Sequence, residues 1–172
     1  MWVQLYIDLR SFFEAGGIIL WPIFGVTILL WMFLLERYWY MFFIYPHRRD
    51  EVAEEWEKRE DTTSWYAHRI REKILSEVRM ETHRMVPLIK SLVAIIPLLG
   101  LLGTVTGMIQ VFQALSSLGS TNARAMAHGV SAAILPTMAA MTVAVFSLYF
   151  VYAIEKRIRE KNEELEDALP HY

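Results

Sequence analysis

The chain has 172 residues, a formal net charge of −2 and no cysteine. Hydrophobic residues make up 55% against 21% charged, and the apolar ones gather into long blocks, which places the chain among integral membrane proteins. The net charge gives no argument for nucleic-acid binding, and the lack of cysteine removes disulfides, thiolate metal sites and thiol catalysis together.

Residues 1–16 carry Val3, Tyr6, Leu9 or Arg10, and Phe13 at helical spacing with aromatics on both sides, which reads as a short interfacial helix or as an ordered leader that merely precedes the first span. The stretch does not read as a cleavable leader. Arg10 is its only basic residue, and the apolar block behind it is long and lacks a small-residue cleavage site. Residues 17–45 are the first predicted transmembrane helix. From Gly17 to Leu35 they carry no charge, and Glu36, Arg37, Tyr38, Trp39, Tyr40 and Tyr45 mark the water boundary. With Thr27 as its one side-chain hydroxyl before that boundary, this helix is expected to face lipid.

Residues 46–90 change character, with ten basic and ten acidic side chains interspersed. That balance reads as a solvated helical face rather than a basic membrane-binding patch. Within it Trp65, Ile70, Ile74, Leu75, Val78 and Met85 fit helical spacing. Residues 91–112 form the second predicted span, entered through Pro97. Residues 113–128 follow as a loop rich in Ser, Gly, Asn and Ala. The third span covers residues 129–154, twenty-six positions without a charge, and 155–172 is a polar tail. The expected fold is all-α, with three transmembrane helices of which the second and third extend into helices on the charged side. Residues 46–90 hold ten basic side chains and the tail four, against one each in 1–16 and 113–128. Basic residues concentrate on the cytoplasmic side, so the middle segment and the tail belong there and the N-terminus lies opposite.

The second and third spans each present a stripe of small residues. At about 100° per residue, Gly100, Thr104, Gly107 and Val111 fall within about 40° of one another, with Gly103 beside them. Gly129, Ala133, Thr137, Ala140, Ala144 and Ser147 repeat the design, and the adjacent Pro136 withdraws a hydrogen bond from the carbonyl of Ala132. Two readings stand. One is close helix packing with each threonine bonded to its own helix; the other is a polar conduit between copies, lined by Thr104 and Thr137. Neither span carries Asp, Glu, Lys, Arg or His in its core, so a proton crossing here needs a titrating group from elsewhere. His128 and Glu155, at the two ends of the third span, read as boundary residues. There is no phosphate-cradling loop, zinc motif or serine with an associated base, so neither an enzyme nor a cofactor is expected.

The run Pro-Leu-Leu-Gly-Leu-Leu-Gly-Thr-Val-Thr-Gly-Met-Ile at 97–109, with Phe112 after it, resembles the second-span signature of the MotA/TolQ/ExbB proton-channel family. Residues 129–137 resemble that family's next motif, and three spans with a charged segment after the first match the ExbB and TolQ branch rather than the four-span MotA branch. The resemblance implies a bacterial inner-membrane protein with a periplasmic N-terminus and a cytoplasmic C-terminus. It implies a homo-oligomeric ring, a pentamer, embedded in membrane lipid around single-span ExbD-type helices whose carboxylate takes up protons, with motion passed to a TonB-type protein. On the same likeness Thr104 and Thr137 line the pore, and Gly100, Gly103, Gly107, Ala133, Pro136, Ala140 and Ala144 are pore or helix-packing positions. Two departures accompany it. The glutamate of many ExbB third spans falls at Ala132, and a proline usual later in that helix falls at Phe146, with Pro136 present instead. They speak against a proton-relay role for this chain's own side chains and strengthen the expectation that the partner supplies the carboxylate. The expected function is thus an ExbB-like subunit of a proton-driven motor that energises TonB-dependent transport across the outer membrane. The alternatives are a TolQ-like motor subunit serving envelope constriction and a passive membrane scaffold without ion flux.

Overall fold

The computed structural model describes residues 2–59, 61, 64–118 and 123–169. Among them every regular element is helical: α1 (Trp2–Gly16), α2 (Leu20–Trp39), a π turn (Tyr40–Ile44), α3 (Tyr45–Glu57), α4 (Trp65–His83), α5 (Val86–Leu118) and α6 (Ala123–Ala168). Three helical stretches, Leu20–Glu57, Trp65–Gln113 and Gly129–Ala168, are long and apolar enough to cross a membrane. The segment read from sequence as a loop, 113–128, is helical at both ends, since α5 continues to Leu118 and α6 starts at Ala123. Alanine, the strongest helix former, recurs at 123, 125 and 127 and extends the third span backwards. Residues 119–122 of that loop and 170–172 of the tail lie outside the described residues, as do the side chains of Arg124 and His128.

Packing divides the chain into two compact units, one of Met1–Trp31 with Ser91–Leu148 and one of Met32–Lys90 with Tyr149–Tyr172. In the first, Gly17 adopts φ +71°, a left-handed conformation that side chains with a Cβ resist, and α1 ends there. The reversal brings Phe13 against Trp21 and Phe24, with ring centroids 5.0 and 5.5 Å apart. The start of α2 has an inward face as well as a lipid-type one: Leu20, Ile23 and Leu30 are buried, whereas Trp21, Phe24, Ile28 and Leu29 are exposed.

The second unit holds several polar contacts that join elements. The π turn has a local cause, because Pro46 has no N–H to offer the carbonyl of Phe42 and its ring crowds that carbonyl. Tyr45 N–H reaches instead to the carbonyl of Tyr40, five residues back. The buried Tyr45 ring directs its hydroxyl to the carbonyl of Lys161, 2.5 Å away on α6. Arg71, only 8% exposed, donates through Nε to the carbonyl of Leu169 at 2.6 Å and through Nη2 to that of Glu166 at 2.9 Å. Arg37, 3% exposed, donates through Nη2 to the carbonyls of Glu81, at 2.6 Å, and Thr82. The two arginines do the same work, closing the C-terminal ends of α6 and α4, where carbonyls lack partners and the helix dipole favours a cation.

Arg37 therefore departs from the boundary role that its place after an apolar span suggested. It is in phase with the buried Leu30, Leu34 and Met41, so the helix turns it inward. α4 differs from expectation in the same way. Its buried positions are Ala67, Arg71, Val78 and Thr82, while Trp65, the largest apolar residue of the segment, is 73% exposed. Thr82 Oγ1 bonds back to the carbonyl of Val78 at 2.9 Å and lies 3.4 Å from Asn162 Oδ1. Lys90 and Glu155 pair at 2.5 Å, which gives the carboxylate at the end of the third charge-free stretch a cation on α5.

Candidate functional site

The small-residue faces of α5 and α6 meet within the first unit. On α5 the buried positions Val93, Ile96, Gly100, Gly103, Gly107 and Val111 recur at steps of three and four. On α6 Gly129, Ala133, Pro136, Ala140, Ala144 and Ser147 do the same. Glycine costs about 1 kcal/mol relative to alanine inside a helix, and here the return is close backbone approach. A methyl built on Gly107 would stand 2.5 Å from Cβ and 2.6 Å from N of Ala133, so backbone lies against backbone. On Gly100 it would meet Cβ of Ala140 at 2.6 Å, and on Gly103 it would meet Cβ of Pro136 at 2.6 Å. Pro136 thus seats its ring in the notch that Gly103 leaves open. Further along, a methyl on Gly129 would meet Cγ2 of Val111 at 2.5 Å.

The two threonines are placed differently. Thr137 Oγ1 donates across the seam to the carbonyl of Gly100 at 2.9 Å. Its oxygen keeps its acceptor lone pairs, and the side chain is half-buried. Thr104 bonds back to the carbonyl of Leu101 at 2.7 Å, on its own helix, and sits at the margin of the glycine face. Thr106 and Thr142 also bond back, to Leu102 at 3.0 Å and to Met138 at 2.8 Å. Ser147, fully buried, bonds to the carbonyl of Val143 at 2.7 Å. Ala144 lies beside it on the buried face.

Six candidate residues, Gly100, Gly103, Gly107, Ala133, Pro136 and Ala140, meet in one seam; Thr137 bridges it, Thr104 flanks it, and Ala144 is buried further along α6. The opposite faces are apolar and uncovered in the single chain, with Leu98, Leu101, Val105, Met108 and Phe112 exposed on α5 and Met138, Met141, Val145 and Phe146 exposed on α6. The seam is uncharged, because residues 92–111 and 129–154 contain no ionisable acid or base of the Asp, Glu, Lys, Arg or His type. Among the described residues no three His, Cys, Asp or Glu side chains are grouped to hold a metal ion. Such a seam can supply hydroxyl and carbonyl oxygens to water or to a partner's side chain; it cannot itself take up a proton near neutral pH. Sequence reasoning missed Arg37 and Arg71, although the signal was present, since each lies in phase with its helix's apolar positions.

Comparison with known proteins agrees with this arrangement. Residues 47–167 match the model of the MotA/TolQ/ExbB proton channel family. Over 64 residues, 36% of this chain, the sequence is 45% identical to a biopolymer transport protein of Synechocystis sp. termed ExbB-like 1, and the match spans 25% of that relative's length. No solved structure matches the chain. A family match over most of the chain, on top of three span-length helices and an uncharged small-residue seam, shows that the chain belongs to the MotA/TolQ/ExbB proton channel family.

Proposed function

We propose that this chain is an ExbB-like subunit of a proton-driven motor in the bacterial inner membrane, with its N-terminus periplasmic and its C-terminus cytoplasmic. Several copies form a homo-oligomeric ring, a pentamer, around ExbD-type single-span helices, and the assembly energises a TonB-type protein for transport across the outer membrane. The observation that carries this reading is the uncharged seam of α5 and α6 bridged by Thr137. It offers oxygens and no titrating group, which is the complement of a partner that brings the carboxylate. The exposed apolar faces of α5 and α6 support assembly, since contiguous apolar surface of this kind is covered by lipid or by protein. Driving force is available from the membrane potential, which supplies about 2.3 kcal/mol per charge per 100 mV. The ExbB-like 1 relative, described as a biopolymer transport protein, points to the same branch.

Thr137→Val tests the reading. It removes the bond to Gly100 but keeps the shape, and interhelical hydrogen bonds in membranes average about 0.6 kcal/mol, so folding and assembly should survive. Energised outer-membrane uptake, or proton flux in vesicles carrying the coexpressed partner, should fall to background, and Thr137→Ser should restore it. Full uptake by the valine variant would leave the seam as packing alone.

A further inference from the structure

The first apolar stretch ends in a charged cleft that the seam does not use. It lies wholly within the second unit and has a volume of about 390 Å³. Arg37, Tyr40, Arg48, Glu81 and Arg84 wall it, with Glu36 at its rim. Three arginines and two glutamates line it, and Glu51 pairs with Arg48 from outside the lining.

The cations are not used up by one another's partners. Arg48 reaches Glu51 at 3.1 Å and Glu81 at the long distance of 4.0 Å. Arg84 is exposed and makes no ion pair among the described residues. The Arg37 guanidinium stacks over Tyr40 at 4.6 Å and is held from behind by the two α4 carbonyls, yet its buried Nε–H has no acceptor among the described residues. A buried guanidinium with an unused donor marks a polar site that the chain alone leaves incomplete.

The cleft begins one residue after the charge-free run of 17–35. Around it Trp39, Phe42 and Phe43 are more than half exposed, an aromatic girdle of the kind that settles at the level of lipid headgroups. A phosphodiester in that layer is a fixed monoanion, held by its glycerol backbone at the depth of the aromatic girdle. Guanidinium groups recognise phosphate oxygens by charge-assisted hydrogen bonds; Arg84 has no ion-pair partner among the described residues, and Arg48 gives Nη1 to Glu51 but keeps Nη2 outside that pair.

We propose that this cleft binds the phosphodiester of a membrane phospholipid, with Arg48 and Arg84 on the phosphate and Arg37 fixing the wall behind it. The proposal rests on the chain spanning a membrane and is independent of proton flux. Its consequence is an anchor that sets the depth of the first span.

Native mass spectrometry of the purified full chain, titrated with phosphatidylglycerol, tests it. The wild type should retain the lipid. Arg84→Gln should weaken retention severalfold, and Arg48→Gln with Arg84→Gln about tenfold or more, while Arg10→Gln, which is not among the cleft's residues, changes nothing. Equal retention by the double variant, or equal retention of uncharged diacylglycerol, would overturn the site. Protection of the protein by millimolar inorganic phosphate as strong as that by the lipid would overturn the lipid assignment in favour of a free-anion site. Arg84 makes no ion pair and is exposed, so the single variant remains readable even if the double variant folds poorly. Uptake assays of Thr137→Val read a different property, so failure of one result leaves the other standing.

Discussion

Gly107→Ala is expected to lower the yield of folded protein and to destabilise the α5–α6 seam by about 1–3 kcal/mol, the usual cost of overpacking a close contact. The added methyl would meet Ala133 at 2.5 Å from its Cβ and 2.6 Å from its backbone nitrogen, so relief requires moving α6 rather than rotating a side chain. Gly107→Val should prevent accumulation altogether. The matched control is Gly25→Ala on α2, where a methyl meets nothing within 4 Å, and this variant should accumulate and melt like the parent. Detergent-solubilised melting followed by helical circular dichroism, with membrane yield measured in parallel, separates the two substitutions. Equal behaviour of Gly107→Ala and Gly25→Ala would show that α5 and α6 do not approach as closely as described.

Arg71→Met should cost about 3 kcal/mol. The substitution keeps most of the volume but removes two charge-assisted hydrogen bonds, each worth about 1.5–3 kcal/mol, and leaves the carbonyls of Glu166 and Leu169 without their donor. Because the two acceptors lie at the end of α6, the loss should appear first as fraying there. Faster amide exchange over residues 158–169, with little change in the seam, is the expected pattern. Arg71→Lys should recover only part of the loss, since an ammonium cannot span two carbonyls as a planar fork does. An unchanged exchange profile in Arg71→Met would mean that packing of Ile158 and Leu165 suffices to hold the helix end.

The three spans and the small-residue faces were legible because they depend on properties that sequence states directly, namely uninterrupted apolar length and the 3.6-residue period. Gly100, Gly103 and Gly107 announce a close approach, and Pro136 together with Ala133 and Ala140 announces its counterpart. What the period could not state was which helix each face meets, so a pore wall and a seam within the chain looked alike. Arg37 and Arg71 escaped for a different reason. A charged side chain is normally assigned to water, and only the end of another helix, distant in sequence, makes its burial favourable. The carbonyls they satisfy belong to residues 81, 82, 166 and 169, and no local pattern in the arginines' own helices points to them. Thr82 and Asn162 form a pair of the same distant kind.

The π turn at Tyr40–Ile44 has a geometric consequence. A π turn is an α-helix that carries one residue more than its pitch requires, and here the surplus is confined to a single place between the buried Arg37 and the buried Tyr45. Removing one residue inside Tyr40–Ile44 takes up that surplus, with Pro46 still leaving one carbonyl without its N–H, and keeps the orientation of everything beyond it nearly unchanged. Removing one from Leu20–Trp39 instead rotates all that follows by about 100° and swings the Tyr45 hydroxyl away from the Lys161 carbonyl. The first span thus holds one spare residue, and that turn is where its length can differ by one while the anchoring contacts on either side keep their phase.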